Sequence, residues 1–422
     1  MSDEHSYSFE THSPPPDEEP QDTAPPDEAL SAGAPAIWLR LKRYVGTPSG
    51  SDRGPGEPVL LLHGASACHR TFTVPKVGLA QWLFEKHFDP WLLDWRGSHL
   101  VVRDPLNRAS LQSHPKAYNF NRAAAEDVPA AIRKMRAFGV KGPIALLGHC
   151  MGSAVVAEAV AMGHVAADVN RIVLIALGLF YEAPIDSRLK SEERILERLT
   201  LMTGRNAVPF IDPRIDEASG RLRIEWPDDL NNLYDAWPGA LRSHDEPRDG
   251  AIGAMCNRLS FMYGMPYHHT KLAVAIHGND SVAAELPNQF GAIPLHMYLH
   301  AAKNLRRGQA TPFEPPAVTN SETPHPPSDA DFVSEKSRAR FRRLEKVTLI
   351  TGALNRLWHR DSVDRMHEWL CRGSSLGLRK IRKHVLAAYA HQDLLWGKDS
   401  PDQVYSFIEK GLRETSSLPK PS

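Results

Sequence analysis

Cys150 lies between two glycines in Gly148-His149-Cys150-Met151-Gly152, directly after the apolar run Ile144-Ala145-Leu146-Leu147. In a G-x-nucleophile-x-G turn between a strand and a helix, the glycines let the chain fold sharply enough to raise the nucleophile above a sheet. The N–H of the following residue then points at a developing oxyanion. Here the apex is a thiol where a hydroxyl is usual. The pattern specifies acyl-transfer chemistry, with Cys150 as nucleophile, activated as thiolate by a neighbouring base and by the positive end of the following helix. The competing reading is a buried cysteine in a Gly-rich turn, and companion motifs decide between the two. His149 points away from the apex and reads as a packing or hydrogen-bonding residue rather than the base.

His63-Gly64-Ala65-Ser66 closes an earlier apolar strand, Val59-Leu60-Leu61-Leu62, where a second oxyanion donor is expected. The N–H groups of Ala65 and Met151 would together hold the oxyanion. Asp94-Trp95-Arg96-Gly97-Ser98, after the next strand, reads as loop-shaping. The base must follow in the order nucleophile, acid, histidine. His391, in the loop after the last strand, is the candidate among 20 histidines. The acid belongs in the loop after Val347-Thr348-Leu349-Ile350, where the usual carboxylate position holds Asn355. An amide can orient an imidazole by accepting from its ring N–H. Asp361 is the alternative, with an N-cap for the next helix as its other reading.

These residues need a parallel sheet beneath them, and the pattern supplies one. An early strand (Ile37, Leu39, Leu41), the run at Val59, a helix over Val77–Lys86, a strand at Trp91–Leu93, a helix over Arg122–Phe138, the elbow strand, an apolar helix over Met151–Met162 and a strand at Ile172–Ile175 give a βαβα rhythm. The rhythm fails from about Phe180 to Lys336 and resumes with strand Val347–Ile350, helix Val363–Leu370, strand His384–Ala387 and helix Pro401–Leu412. The expected organisation is a disordered acidic Pro-rich tail (1–35), a core in two parts (36–180 and 337–415), an inserted helical cap (181–336) and a flexible C-terminus (416–422). Phe261, Met262, Tyr263 and Tyr298 of the cap are candidates to line an apolar acyl pocket, or else form the cap's own core.

Bulk properties narrow the partners. The chain has 422 residues, 42% of them hydrophobic, enough for one large domain with an insertion. Fifty basic residues balance fifty acidic ones, which argues against a nucleic-acid partner. The four cysteines are far apart, so neither a metal site nor a disulfide framework is expected. With no signal-peptide pattern near Asp3-Glu4-His5 and no apolar run of spanning length, the expectation is a cytoplasmic protein without a transmembrane segment. The sequence leaves the oligomeric state open.

Over residues 36 to 415 the chain resembles the α/β-hydrolases, which implies a mostly parallel central sheet with helices on both faces and a large inserted helical cap. Tyr389-Ala390-His391-Gln392-Asp393-Leu394-Leu395-Trp396-Gly397 resembles the H-x-D-x-x-W-G segment of the acid-lipase branch, implying a base role for His391 and a structural one for Asp393. Leu286–Pro294 followed by His300-Ala301-Ala302 is similar to that branch's lid. Hydrolase modules of this kind occur with cholesterol-oxidase-type flavoproteins, but no dinucleotide fingerprint is present, and no cofactor is implied. The Cys elbow resembles that of polyhydroxyalkanoate synthases. Dienelactone hydrolases also use a Cys, without such a cap. The resemblance implies hydrolysis of apolar carboxylic esters or thioesters, lipase- or esterase-like, through a Cys150 acyl-enzyme. The alternatives are an acyltransferase or polyester synthase using the same thioester, and a non-catalytic binding protein in which Cys150 and Asn355 record lost activity.

Overall fold

The structure is a computed structural model, describing residues 3–10, 36–45, 56–74, 78–194, 210–211, 259, 288–313, 332–372 and 380–413. Its centre is an eight-stranded sheet. The chain runs through β1 (Asp3–Glu10), β2 (Trp38–Val45), β3 (Glu57–Leu62), β4 (Phe88–Asp94), β5 (Ile144–His149) and β6 (Val169–Ile175). A short antiparallel pair, β7 (Phe210–Ile211) and β8 (Ile293–Pro294), precedes β9 (Lys346–Gly352) and β10 (Ile381–Leu386). The order across the sheet is β1-β2-β4-β3-β5-β6-β9-β10. Within this sheet, among the described residues, only the β1–β2 and β2–β4 pairings are antiparallel.

Strands covered on both faces must be apolar throughout, and β3 and β5 meet this condition, since every residue of Val59–Leu62 and Ile144–Leu147 is buried. Crossover helices flank them. Met151–Ala161 of the helix Met151–Met162 are all buried, as its small apolar composition requires, and Gly163 ends it at φ 83°. Leu79–Glu85, Asp361–Cys371 and Tyr405–Leu412 fall where the rhythm places them. The expected helix over Arg122–Phe138 divides into a short turn, a wide π-turn (Ala123–Asp127) and the helix Val128–Ala137. At this π-turn Asp127 meets the fully buried Arg96 guanidinium, with Arg96 Nη2 2.5 Å from Asp127 Oδ1 and Arg96 Nη1 donating to the Ala117 carbonyl at 2.6 Å.

The N-terminal tail corrects the expectation of disorder over 1–35 at its start. Asp3–Glu10 pairs along β2, and the Tyr7 ring packs on Phe138 at 4.1 Å and Trp91 at 6.2 Å. Alternation of Tyr7 and Phe9 with Ser6 and Ser8 is a strand signal that the acidic, Pro-rich average conceals. The rest of the tail and the C-terminal 416–422 lie outside the described residues. Of the expected cap, 181–194, 210–211, 259, 288–313 and 332–336 are described. There the helix Leu295–Arg307 is tied to the helix Ile185–Glu192 through Ser191 Oγ to the Ala302 carbonyl (2.8 Å) and Arg306 Nη1 to the Ser191 carbonyl (2.8 Å). Phe261, Met262 and Tyr263 lie outside the described residues. Tyr298 is partly buried against the main core. Among the described residues no helix is long and apolar enough to cross a membrane.

Candidate active site

Cys150 sits at the end of β5 with φ 57° and ψ −127°. A non-glycine residue held there costs about 1–3 kcal/mol, so its surroundings must enforce the conformation. Three features do. The Cys150 N–H donates to the Ile175 carbonyl at 3.0 Å. Ser153 Oγ accepts from the Ile175 N–H (2.8 Å) and has the Gly148 carbonyl at 2.5 Å and the Ile175 carbonyl at 3.0 Å as acceptors for its one proton, pinning the first helical turn across to β6. A Cβ on Gly148 would run into the Ser153 backbone, and one on Gly152 into the carbonyls of Leu62 and His63. Both elbow glycines are therefore required by close approach.

The His63-Gly64-Ala65 loop lies directly over the thiol, for a Cβ built on Gly64 would be 3.0 Å from Cys150 Cβ and 3.4 Å from its Sγ. Among the described residues the N–H groups of Ala65 and Met151 donate to no carbonyl, Met151 because it is the first residue of a helix. Both groups stand close to Cys150, the Met151 N–H directed at its sulfur. Behind the loop, buried Asp94 Oδ2 lies 2.7 Å from His69 Nδ1, and Asp94 Oδ1 accepts from the His69 N–H (2.8 Å) and Ser98 Oγ (3.0 Å) and lies 3.3 Å from His63 Nε2. Burial pushes the Asp94 carboxyl up, but the charge of His69 and hydrogen bonds from His63 and His69 hold it well below the usual range. Asp94 is the post that fixes the oxyanion loop.

Cys150 is partly accessible, and burial of its sulfur pushes the thiol up to about 11. The Trp358 indole N–H and the Met151 N–H, both directed at the sulfur, lower it only in part. At neutral pH the resting nucleophile is a thiol, not the thiolate the sequence led us to expect. Attack therefore needs a base.

His391 lies in a loop held at several points. Asp393 Oδ2 accepts from the Ala390 N–H (2.9 Å), Trp396 Nε1 donates to the Thr71 carbonyl (3.1 Å), and Tyr389 hydroxyl donates to Gln403 (2.8 Å). Asp393 thus holds the loop. Burial, with the neighbouring His149, keeps His391 well below the usual histidine value, so it rests neutral at pH 7. His149 packs on it with ring centroids 4.7 Å apart and donates from Nε2 to the His391 carbonyl at 3.4 Å. Burial also brings His149 down, to about 4. Both ring nitrogens of His391 are buried and make no hydrogen bond among the described residues, so neither Cys150 nor Asn355 nor Asp361 is hydrogen-bonded to the imidazole here.

Asn355 is buried in the loop after β9, and its Oδ1 accepts from the Leu357 (3.0 Å) and Trp358 (3.2 Å) N–H groups. The amide oxygen expected to face the imidazole instead shapes the turn that carries Trp358 to Cys150. Asp361 is exposed, 3.1 Å from His359 Nδ1, and opens the helix Asp361–Cys371 without capping it. The structure thus brings together Cys150, Ala65 and Met151, places His391 on the adjoining loop, and leaves Asp361 outside. Sequence reasoning missed Trp358, Ser153 and Tyr181. Tyr181 follows β6 and stands edge-on to Trp358 at 5.4 Å. Only Ser153 had a local signal, a hydroxyl in an otherwise apolar first turn. Among the described residues no group of His, Cys, Asp and Glu is arranged to hold a metal.

No curated protein sequence matches the chain significantly. Among solved structures it is similar to a lipase in its open form (13% identity, TM-score 0.49, covering 90% of this chain and 96% of that one). It is also similar to a thermophilic esterase from Thermogutta terrifontis (13%, TM-score 0.42, 90% and 94%) and to a peroxisomal alpha-beta-hydrolase from Saccharomyces cerevisiae (12%, TM-score 0.44, 100% and 93%). Likeness at this level leaves the activity to be argued from the chain's own site. A family model, in contrast, matches residues 59–407, running from β3 past the His391 loop. The chain belongs to the alpha/beta hydrolase family.

Proposed function

We propose that this protein hydrolyses apolar carboxylic esters or thioesters through an acyl-enzyme on Cys150. One observation carries the reading: a reachable thiol is held in a strained backbone conformation beside two N–H groups, those of Ala65 and Met151, that donate to no carbonyl among the described residues. Such strain persists where function retains it, and paired donors beside a nucleophile fit a tetrahedral oxyanion. In the mechanism, neutral His391 takes the Cys150 proton as the sulfur attacks the acyl carbon. This requires its imidazole to close on the sulfur when substrate binds, a tightening common in such sites. The oxyanion rests on the Ala65 and Met151 N–H groups, the leaving group departs, and water releases the acid from the thioester. Asn355 holds the turn of Trp358, whose indole N–H stabilises the sulfur as it gains charge. Tyr298, partly buried against the core, contributes to the apolar acyl pocket.

The test is a panel of aryl esters, alkyl esters and acyl thioesters of graded chain length, assayed with the wild type and Cys150→Ala. Turnover that rises with acyl length and vanishes in the variant supports the reading. Product formed only with an added alcohol or thiol acceptor would make the enzyme a transferase, and turnover equal in both proteins would remove Cys150 from the chemistry.

A further inference from the structure

A cavity of about 370 Å³ lies between the helix Glu335–Arg343 and the helix Asp361–Cys371. Among the described residues, none that lines it belongs to the elbow, the oxyanion loop or the His391 loop. Its volume suits a small organic molecule and far exceeds what a bare ion needs. Two buried aromatic side chains line it, Phe180 and Trp369, set edge-on with ring centroids 6.1 Å apart. The wall is held in place. Trp369 Nε1 donates to the Val333 carbonyl at 3.0 Å, and Arg338 Nη1 donates to the Trp369 carbonyl at 3.3 Å.

Three arginines line the cavity, Arg338, Arg365 and Arg372, and the carboxylates beside them are shared. Glu335 accepts from Arg338 Nη2 and, at 3.4 Å, from Arg342 Nη1. Glu182 accepts from Arg365 Nη1 and, at 2.7 Å, from Arg188 Nη2. Glu368, also on the lining, is exposed to solvent. Arg365 is further fixed by the Phe180 ring, 4.8 Å from its guanidinium carbon, and by the Gly308 carbonyl, which accepts from Nη1 at 3.1 Å. Arg372 differs. Among the described residues its guanidinium makes no hydrogen bond and no ion pair. Around this one cavity five guanidinium groups therefore meet three carboxylates, an excess of two positive charges. Burial, and then the charges of Arg342 and Arg372, push Arg338 below its usual value, as expected where negative charge is in short supply.

We infer that this cavity binds a small phosphate monoester with an aromatic body, at a site separate from the one around Cys150. A phosphate dianion matches the excess of two positive charges, whereas a carboxylate would leave one unmatched. Guanidinium groups meet phosphate oxygens through paired N–H donors, which gives them geometric selectivity as well as charge. Arg372 supplies the unengaged pair, and Arg338 and Arg365 are already fixed on the same lining. Phe180 and Trp369 offer apolar surface for an aromatic body to cover, so a monoester gains over inorganic phosphate. The inference does not depend on the ester-hydrolase reading.

The experiment is isothermal titration of wild type and Arg372→Gln with phenyl phosphate, inorganic phosphate and benzoate, at low salt and at pH 8, where the phosphates are dianions. Phenyl phosphate should bind wild type at one site, about tenfold or more tighter than either of the other two. Arg372→Gln should weaken it about tenfold or more, the loss expected for one charge-assisted hydrogen bond. Because the Arg372 guanidinium holds nothing else among the described residues, the urea midpoint of the variant should match that of wild type. Absence of phenyl phosphate binding would overturn the site, as would binding that Arg372→Gln leaves unchanged. Inorganic phosphate or benzoate binding as tightly as phenyl phosphate would overturn the assigned ligand class.

Discussion

Glu158, fully buried on the helix Met151–Met162, accepts from Asn121 Nδ2 at 2.8 Å, and the effect of Glu158→Gln on stability can be worked out from the structure. Burial, only partly offset by Asn121, pushes this carboxyl from its ordinary 4.5 up to about 8. Between those values the folded protein keeps a proton that the unfolded chain releases. Stability therefore falls as pH rises from about 4.5 to about 8. Each unit is about 1.4 kcal/mol, and pH 7 lies about 2.5 units above the unfolded value, so ionisation favours the unfolded chain by roughly 3 kcal/mol there. Glutamine cannot ionise and keeps the oxygen that Asn121 requires. The variant should be more stable than wild type by roughly 3 kcal/mol at pH 7, with the gap closing toward pH 4.5. Urea denaturation of both proteins at pH 5, 6 and 7 measures it. A variant no more stable than wild type at pH 7, or a difference that does not change with pH, would show that Glu158 is charged in the fold and would refute the assignment of its proton.

Two further perturbations probe the scaffold and the thiol. Asp127→Ala leaves the buried Arg96 guanidinium with only Glu126 at 2.5 Å for its charge, and should cost about 3–5 kcal/mol in urea denaturation; a loss under 1 kcal/mol would mean that Arg96 finds water there. Because the Cys150 thiol is pushed up to about 11, its alkylation by iodoacetamide should accelerate about tenfold per pH unit from 7 to 10, and Trp358→Phe, which removes a donor to the sulfur, should slow it several-fold at pH 8. A plateau reached below pH 8 would show that the resting residue is a thiolate.

The parts of this site written locally were legible in the sequence. Gly148 and Gly152 flank the nucleophile because the backbone of Ser153 and the carbonyls of Leu62 and His63 leave no room for a Cβ, and the apolar runs of β3 and β5 announced buried parallel strands. β1 was hidden because four alternating residues were averaged into a long acidic segment. The contacts that set the chemistry join distant positions. Cys150 and Trp358 read separately as an elbow residue and a loop aromatic, and only the fold directs the Trp358 indole N–H at the sulfur. Asn355 shows the converse. Its place in the chain matched the acid position, but its amide oxygen satisfies the N–H groups of its own turn, a local demand that spacing alone does not reveal.

The most direct test of the account is to trap the intermediate. Wild-type protein mixed with an excess of a slowly deacylating aryl ester, quenched in acid within the first turnover and mapped by peptide mass spectrometry, should carry the acyl group on Cys150 as a thioester that neutral hydroxylamine removes. Cys150→Ala should carry none. An unmodified Cys150 during steady turnover, or an acyl group on another residue whose formation matches the turnover rate, would contradict the central claim that this thiol is the nucleophile.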